Sequence, residues 1–156
     1  MKTLILYATK YGATREIAER IATHMDSVVL HDLRQAEPPA LAGFDCVIIG
    51  SPLYAGSIRK EAKAFLAQHA DQLRGKTLGL FLSGMAPADE QKYFADNFPP
   101  DTLQAASATS LLGGIFDPQK AGALARLIMK AATKQSGYQD TISDERIEQF
   151  AAAMKR

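Results

Sequence analysis

An apolar run, Leu4 to Ala8, ends in a short hydroxyl-rich turn around Gly12, and a helical pattern begins at once. Ile17, Ile21 and Met25 recur at steps of four, so one face of that helix is apolar. Strand, tight polar turn and helix in this order place a helix N-terminus at the carboxyl end of a strand. The unpaired N–H groups of that first turn, with the hydroxyls of Thr9 and Thr14, then converge on one spot. The spot suits a phosphate.

The same alternation continues along the chain. The first strand covers Lys2 to Ala8, the first helix Ala13 to Met25 and the second strand Ser27 to His31. Asp32 to Gly43, with Pro38-Pro39, reads as a connection crossing the surface, with too little helical signal to require a helix. The third strand is Phe44 to Ser51, followed by a loop through Ser57 and a helix from Ile58 to Leu73, which Gly75 is placed to end. The fourth strand is Thr77 to Leu82, followed by the loop Ser83 to Pro87 and a short helix, Ala88 to Ala95, stopped at Pro99-Pro100. A fifth strand spans Gln104 to Leu112, a loop Gly113 to Pro118 and a helix Gln119 to Thr133. Ser143 caps the last helix, with Ile142 and Ile147 at the spacing of a hydrophobic staple. Strands of which the first and third are nearly all apolar, alternating with helices, predict an α/β fold with an open parallel sheet covered on both faces. With 156 residues, no repeat and no linker, residues 1–156 form a single domain.

Charge and residue usage remove several functional classes. The formal charge of +1 gives no global field for nucleic acid. Basic runs mixed with acidic residues, such as Arg59-Lys60-Glu61, read as solvated helix faces. The single cysteine, Cys46, allows no internal disulfide and sits in an apolar run, as a small buried hydrophobe does. His24, His31 and His69 share no metal-ligand spacing. The N-terminus has no signal-peptide core, and no apolar stretch approaches the about 20 residues of a membrane span. The expectation is a soluble cytoplasmic protein with no transmembrane segment, which leaves peripheral membrane contact open.

In an open parallel sheet, ligands collect beyond the carboxyl ends of the strands. Three loops leave those ends: Thr9 to Thr14, Pro52 to Ser57 and Ser83 to Pro87. The first lacks the Gly-Lys-Ser/Thr ending of a P-loop, and Gly12 stands alone, so it is no dinucleotide fingerprint. Its donors are mostly neutral amides and hydroxyls. Two roles stay open for Thr9 and Thr14, phosphate donors or simple helix caps. The strand ends Tyr7-Ala8-Thr9 and Gly50-Ser51-Pro52 carry no acidic cluster, which argues against a phosphorylated signalling domain.

Thr-x-x-Gly-x-Thr after the first strand resembles the phosphate loop of the flavodoxin family. Gly50-Ser51-Pro52-Leu53-Tyr54 resembles that family's second FMN loop, and Ser83-Gly84-Met85-Ala86 falls where its third lies. The resemblance spans essentially the whole chain. It implies a flavodoxin-like three-layer sandwich with a five-stranded parallel sheet of order 2-1-3-4-5, binding FMN non-covalently. Thr9, Lys10, Tyr11, Gly12, Ala13 and Thr14 would then hold the FMN phosphate. Tyr54 would lie against the isoalloxazine, with Pro52, Leu53, Ala55 and Gly56 beside it and Ser83, Gly84 and Met85 on the other side. The chain departs from the family at Tyr11, where a hydroxyl residue is usual, and in the third loop, which lacks the common acidic and aromatic residues. It is also near neutral where electron-carrier flavodoxins are commonly acidic. Less negative charge should make the flavin easier to reduce fully.

Lys2 to Tyr7 followed by Gly12-Ala13-Thr14-Arg15-Glu16-Ile17-Ala18 is also similar to the menaquinone-dependent protoporphyrinogen oxidase family. So is Gly113-Gly114 followed by Leu127-Ile128-Met129-Lys130. That family carries a longer, more basic insertion after the third loop. The resemblances imply a flavodoxin-type redox protein, with a quinone-linked FMN oxidoreductase acting on protoporphyrinogen as the alternative. The flavin carries the chemistry with no side-chain acid or base, and a redox partner protein or a quinone docks at its rim.

Overall fold

Each inner strand has apolar side chains pointing both ways, and helices cover both sides. The computed structural model describes residues 1–35, 37–119, 122, 127 and 137–156. Five strands, β1 (Lys2–Tyr7), β2 (Ser27–Asp32), β3 (Cys46–Pro52), β4 (Thr77–Ser83) and β5 (Ala106–Leu111), form one parallel sheet of order β2-β1-β3-β4-β5. This is the expected architecture.

Alternation along the strands divides the core in two. Leu4, Leu6, Val47, Ile49, Leu78, Leu80 and Leu82 face α2 (Lys60–Gln68), α3 (Ala70–Leu73) and α4 (Glu90–Asn97). Ile5, Tyr7, Cys46, Ile48 and Phe81 face α1 (Ala13–Ala22) and the last helix, Asp144–Met154. Cys46 is fully buried, and that burial pushes its thiol pKa up. Phe81 is seated over Gly50 on the neighbouring strand, where a Cβ would lie 2.0 Å from its ring.

Some local expectations needed correction. The helix expected from Ile58 to Leu73 is two helices, because His69 leaves helical geometry (φ −117°, ψ 16°) and its ring stacks on Phe65. Pro99-Pro100 ends α4 but also begins another helix, α5 (Pro100–Ala105), since proline at the first helical position removes no intrahelical bond. β5 therefore starts at Ala106, not Gln104. The segment after Leu112 holds a short antiparallel pair, β6 (Ile115–Phe116) with β7 (Gln139–Asp140). The helix expected over Gln119 to Thr133 lies outside the described residues. Between β2 and β3 there is only a 3-10 turn, Leu41–Gly43, among the described residues. The last helix, now α6, is capped as expected: Ser143 Oγ accepts from the Arg146 N–H at 3.2 Å, and Ile142 and Ile147 join one cluster.

Candidate functional site

β1 and β3 are neighbours, yet α1 leaves onto one face of the sheet and α2 onto the other. The connections diverge there and open a crevice beyond the strand ends. A cavity of about 420 Å³ fills that crevice. Thirteen of the fourteen residues expected from sequence line it. They are Thr9, Lys10, Tyr11, Ala13 and Thr14 from the first loop, Pro52, Leu53, Tyr54, Ala55 and Gly56 from the second, and Ser83, Gly84 and Met85 from the third. Gly12 is not in the wall. It heads α1 at φ 97°, a left-handed conformation that suits glycine, and its carbonyl accepts the Glu16 N–H.

Neither threonine caps α1 by its side chain, for no side-chain cap bond exists there. Thr9 Oγ1 accepts the Gly12 N–H at 2.9 Å and closes the turn. Arg34 Nη1 donates to the Thr9 carbonyl at 2.8 Å and holds the turn from outside. Thr14 is fully buried, with Oγ1 2.7 Å from Ser83 Oγ. This hydroxyl pair joins the first loop to the third across the floor of the cleft. Behind it, burial pushes the Tyr7 phenol pKa up.

The second loop is a tight turn. Tyr54 and Ser57 exchange both backbone bonds, and Ala55 and Gly56 between them have φ of 51° and 81°. Positive φ at both central residues is the type I′ arrangement. Tyr54 is thereby held at the rim, half-exposed, with the Lys10 ammonium 4.0 Å from its ring centroid and 5.3 Å from that of Tyr11. Asn97 ties this loop to α4: its Oδ1 accepts from the Ile58 N–H, and its Nδ2 donates to the Gly56 carbonyl. The third loop is held by long-range bonds. The Gly84 N–H donates to the Gly113 carbonyl at 2.9 Å, and Thr141 Oγ1 contacts Met85 Sδ at 3.5 Å.

Sequence reasoning missed part of the wall: Arg59, Tyr93, Gly114, Ile115, Phe116 and Asp117. Gly113-Gly114 marked a loop but not its position. The charge run Arg59-Lys60-Glu61 predicts a solvated helix face, yet Arg59 lines the cavity, and its side chain is only 23% exposed. Among the described residues no cluster could hold a metal ion, and no helix is long and apolar enough to cross a membrane.

Residues 4–143 match the family model described as Flavodoxin domain. A flavodoxin of Trichodesmium erythraeum is 25% identical, with 97% of this chain and 94% of that protein covered. The protoporphyrinogen IX dehydrogenase [quinone] of Escherichia coli is 32% identical over 77 residues, covering 47% of this chain and 42% of that protein. The crystal structure of a Fusobacterium nucleatum flavodoxin bound to flavin mononucleotide superposes with a TM-score of 0.59 at 17% identity, covering 99% of this chain and 98% of that one. With its sheet order and with nine-tenths of its length matched by the domain model, the chain belongs to the flavodoxin family.

Proposed function

We propose that this protein binds FMN non-covalently in the cleft and transfers electrons through it. The observation that carries the proposal is the meeting of three separate strand-end loops on one cavity, fastened by the Thr14–Ser83 hydroxyl pair. Family membership and a fold neighbour with flavin mononucleotide bound support the choice of cofactor.

The residues fit such a group. The first turn of α1 supplies free N–H groups to a phosphate, and the helix dipole favours its charge. Thr9, Lys10, Tyr11, Ala13 and Thr14 form the phosphate end, with Gly12 shaping the turn behind them. Pro52, Leu53, Tyr54, Ala55 and Gly56 hold one side of the ring system, and Ser83, Gly84 and Met85 the other. When bound, the flavin supplies reversible one- and two-electron chemistry. The chain's part is to orient it, exclude water from its buried edge and set the local charge. No side-chain acid or base is needed. Flavodoxin-like proteins pass electrons to redox partners, and here a partner protein or a quinone meets the rim beside Tyr54 and Met85. That contact is small and transient. The reading is of a cytoplasmic carrier.

A second reading is a quinone-linked oxidoreductase acting on protoporphyrinogen. The 77-residue match supports it, as do the apolar side chains that Tyr93, Ile115 and Phe116 add to the cavity wall. An absorbance spectrum of the purified protein tests the first proposal. Flavin bands that co-purify, or appear on adding FMN to stripped protein, support it, and a colourless protein that takes up no FMN refutes it. Turnover of protoporphyrinogen with a quinone acceptor would favour the second reading.

A further inference from the structure

The charged residues described in the cavity wall are Lys10, Arg59 and Asp117. Lys10 rests its ammonium over two tyrosine rings, and Asp117 Oδ1 accepts the Gln119 N–H. Arg59 is placed differently. Its own N–H donates to Ser51 Oγ at 2.9 Å, and Ser51 is buried, so the base of the side chain is fixed. Its guanidinium Nε is buried and makes no hydrogen bond. The facing carboxylate oxygen, Glu61 Oε2, lies 3.6 Å away and is itself buried without a hydrogen-bond partner. Such a pair has the charge match but not the hydrogen bond, and buried polar groups left unpaired are costly. A new negative charge in the cavity therefore competes well for this guanidinium.

We propose that Arg59 is the counter-ion for the negative charge the cavity gains when its cofactor is fully reduced, and that it turns from Glu61 toward that charge. The inference rests on FMN being the occupant. Two electrons and one proton convert oxidised FMN to a reduced form with one additional negative charge in its ring system. A second proton would cancel that charge. A cation in the wall favours the singly protonated product and so raises the potential of the second electron. Where acidic residues beside a flavin hold that potential down, Arg59 acts in the opposite sense.

The test is a spectroelectrochemical titration of the FMN-loaded protein at constant pH, comparing the wild type with Arg59→Gln, Arg59→Lys and Glu61→Gln. FMN uptake is measured first by absorbance. Arg59→Gln should lower the equilibrium constant of the second electron step about tenfold, or about 59 mV for one electron. Arg59→Lys should keep most of the wild-type value. Glu61→Gln leaves Arg59 in place and should move the second step the other way, which keeps the test decisive if Arg59→Gln does not fold. An unmoved second step in Arg59→Gln overturns the proposal. So does an equal shift of both steps accompanied by weaker binding of oxidised FMN, because Arg59 would then only hold the loop. A wild type that takes up no FMN overturns this inference and the proposed function together, whereas normal uptake with an unmoved potential overturns this one alone.

Discussion

Replacing Thr14 with Val keeps the shape of the side chain and removes one hydroxyl. That hydroxyl lies 2.7 Å from Ser83 Oγ, and both residues are buried. Valine would leave Ser83 Oγ facing a methyl group in place of its hydroxyl partner. A buried hydroxyl without a partner costs about 1–3 kcal/mol, so the cofactor-free protein should lose that much stability in a urea melt. The double variant Thr14→Val with Ser83→Ala removes both partners and should recover most of the loss. FMN affinity follows a different course. A hydroxyl donated to a charged phosphate is worth about 1.5–3 kcal/mol, which corresponds to a Kd weaker by about 10- to 150-fold. No change at Ser83 can restore a donor lost from Thr14. The two measurements should therefore separate: stability recovers in the double variant, and affinity, read by titrating FMN into stripped protein, does not. Recovery of both together would show that Thr14 only fastens the loops. An unchanged Kd in the single variant would remove Thr14 from the phosphate site.

Gly50→Ala would drive a Cβ to 2.0 Å from the Phe81 ring inside the sheet and should cost about 1–3 kcal/mol or more, partly restored by adding Phe81→Leu. Gly79→Ala meets chiefly the movable thioether of Met154 at 2.6 Å, with Phe150 at 2.9 Å, and should cost less; thermal melts giving the reverse order would refute this account of the core. Ala55 is the one non-glycine with positive φ among the described residues. Ala55→Gly should relieve about 1 kcal/mol of strain, offset in part by the greater freedom of the unfolded chain, and a fall in Tm would contradict the strained turn.

The parts of the fold legible in the sequence were those encoded by neighbouring residues. Runs such as Val47-Ile48-Ile49 must be covered on both sides, and that alone demands helices above and below the sheet. The stretch with Pro38-Pro39 carries too little helical signal to require a helix before β3, and among the described residues a short 3-10 turn is what is found there. What escaped was set at a distance or by a double-edged signal. Pro100 both stops one helix and suits the first position of the next, and nothing local decides whether the chain will turn again. The pairing of Ile115 with Asp140 joins two-residue strands far apart in sequence, too short to leave a periodic trace.

The same distinction explains the site. Its loops were legible because each is a contiguous stretch at a strand end, and the sheet order then brings the three together. Arg59 was not, because a charge run is read by helical periodicity and Arg59 is not helical. It is the residue before α2, with extended geometry (φ −66°, ψ 147°), so its side chain does not follow the helix face that Lys60 occupies. Ser51 fixes it there by accepting its N–H. The consequence reaches the electrostatics. A net charge of +1 says nothing about which charges face the cavity, and among the described residues those that do, Lys10, Arg59 and Asp117, come from three parts of the chain. If the fully reduced cofactor is favoured, the cause is this local set and not the overall neutrality. Changing surface charge far from the cleft should then move the second reduction step far less than changing Arg59, because exposed charges beyond about 10 Å are screened at moderate salt.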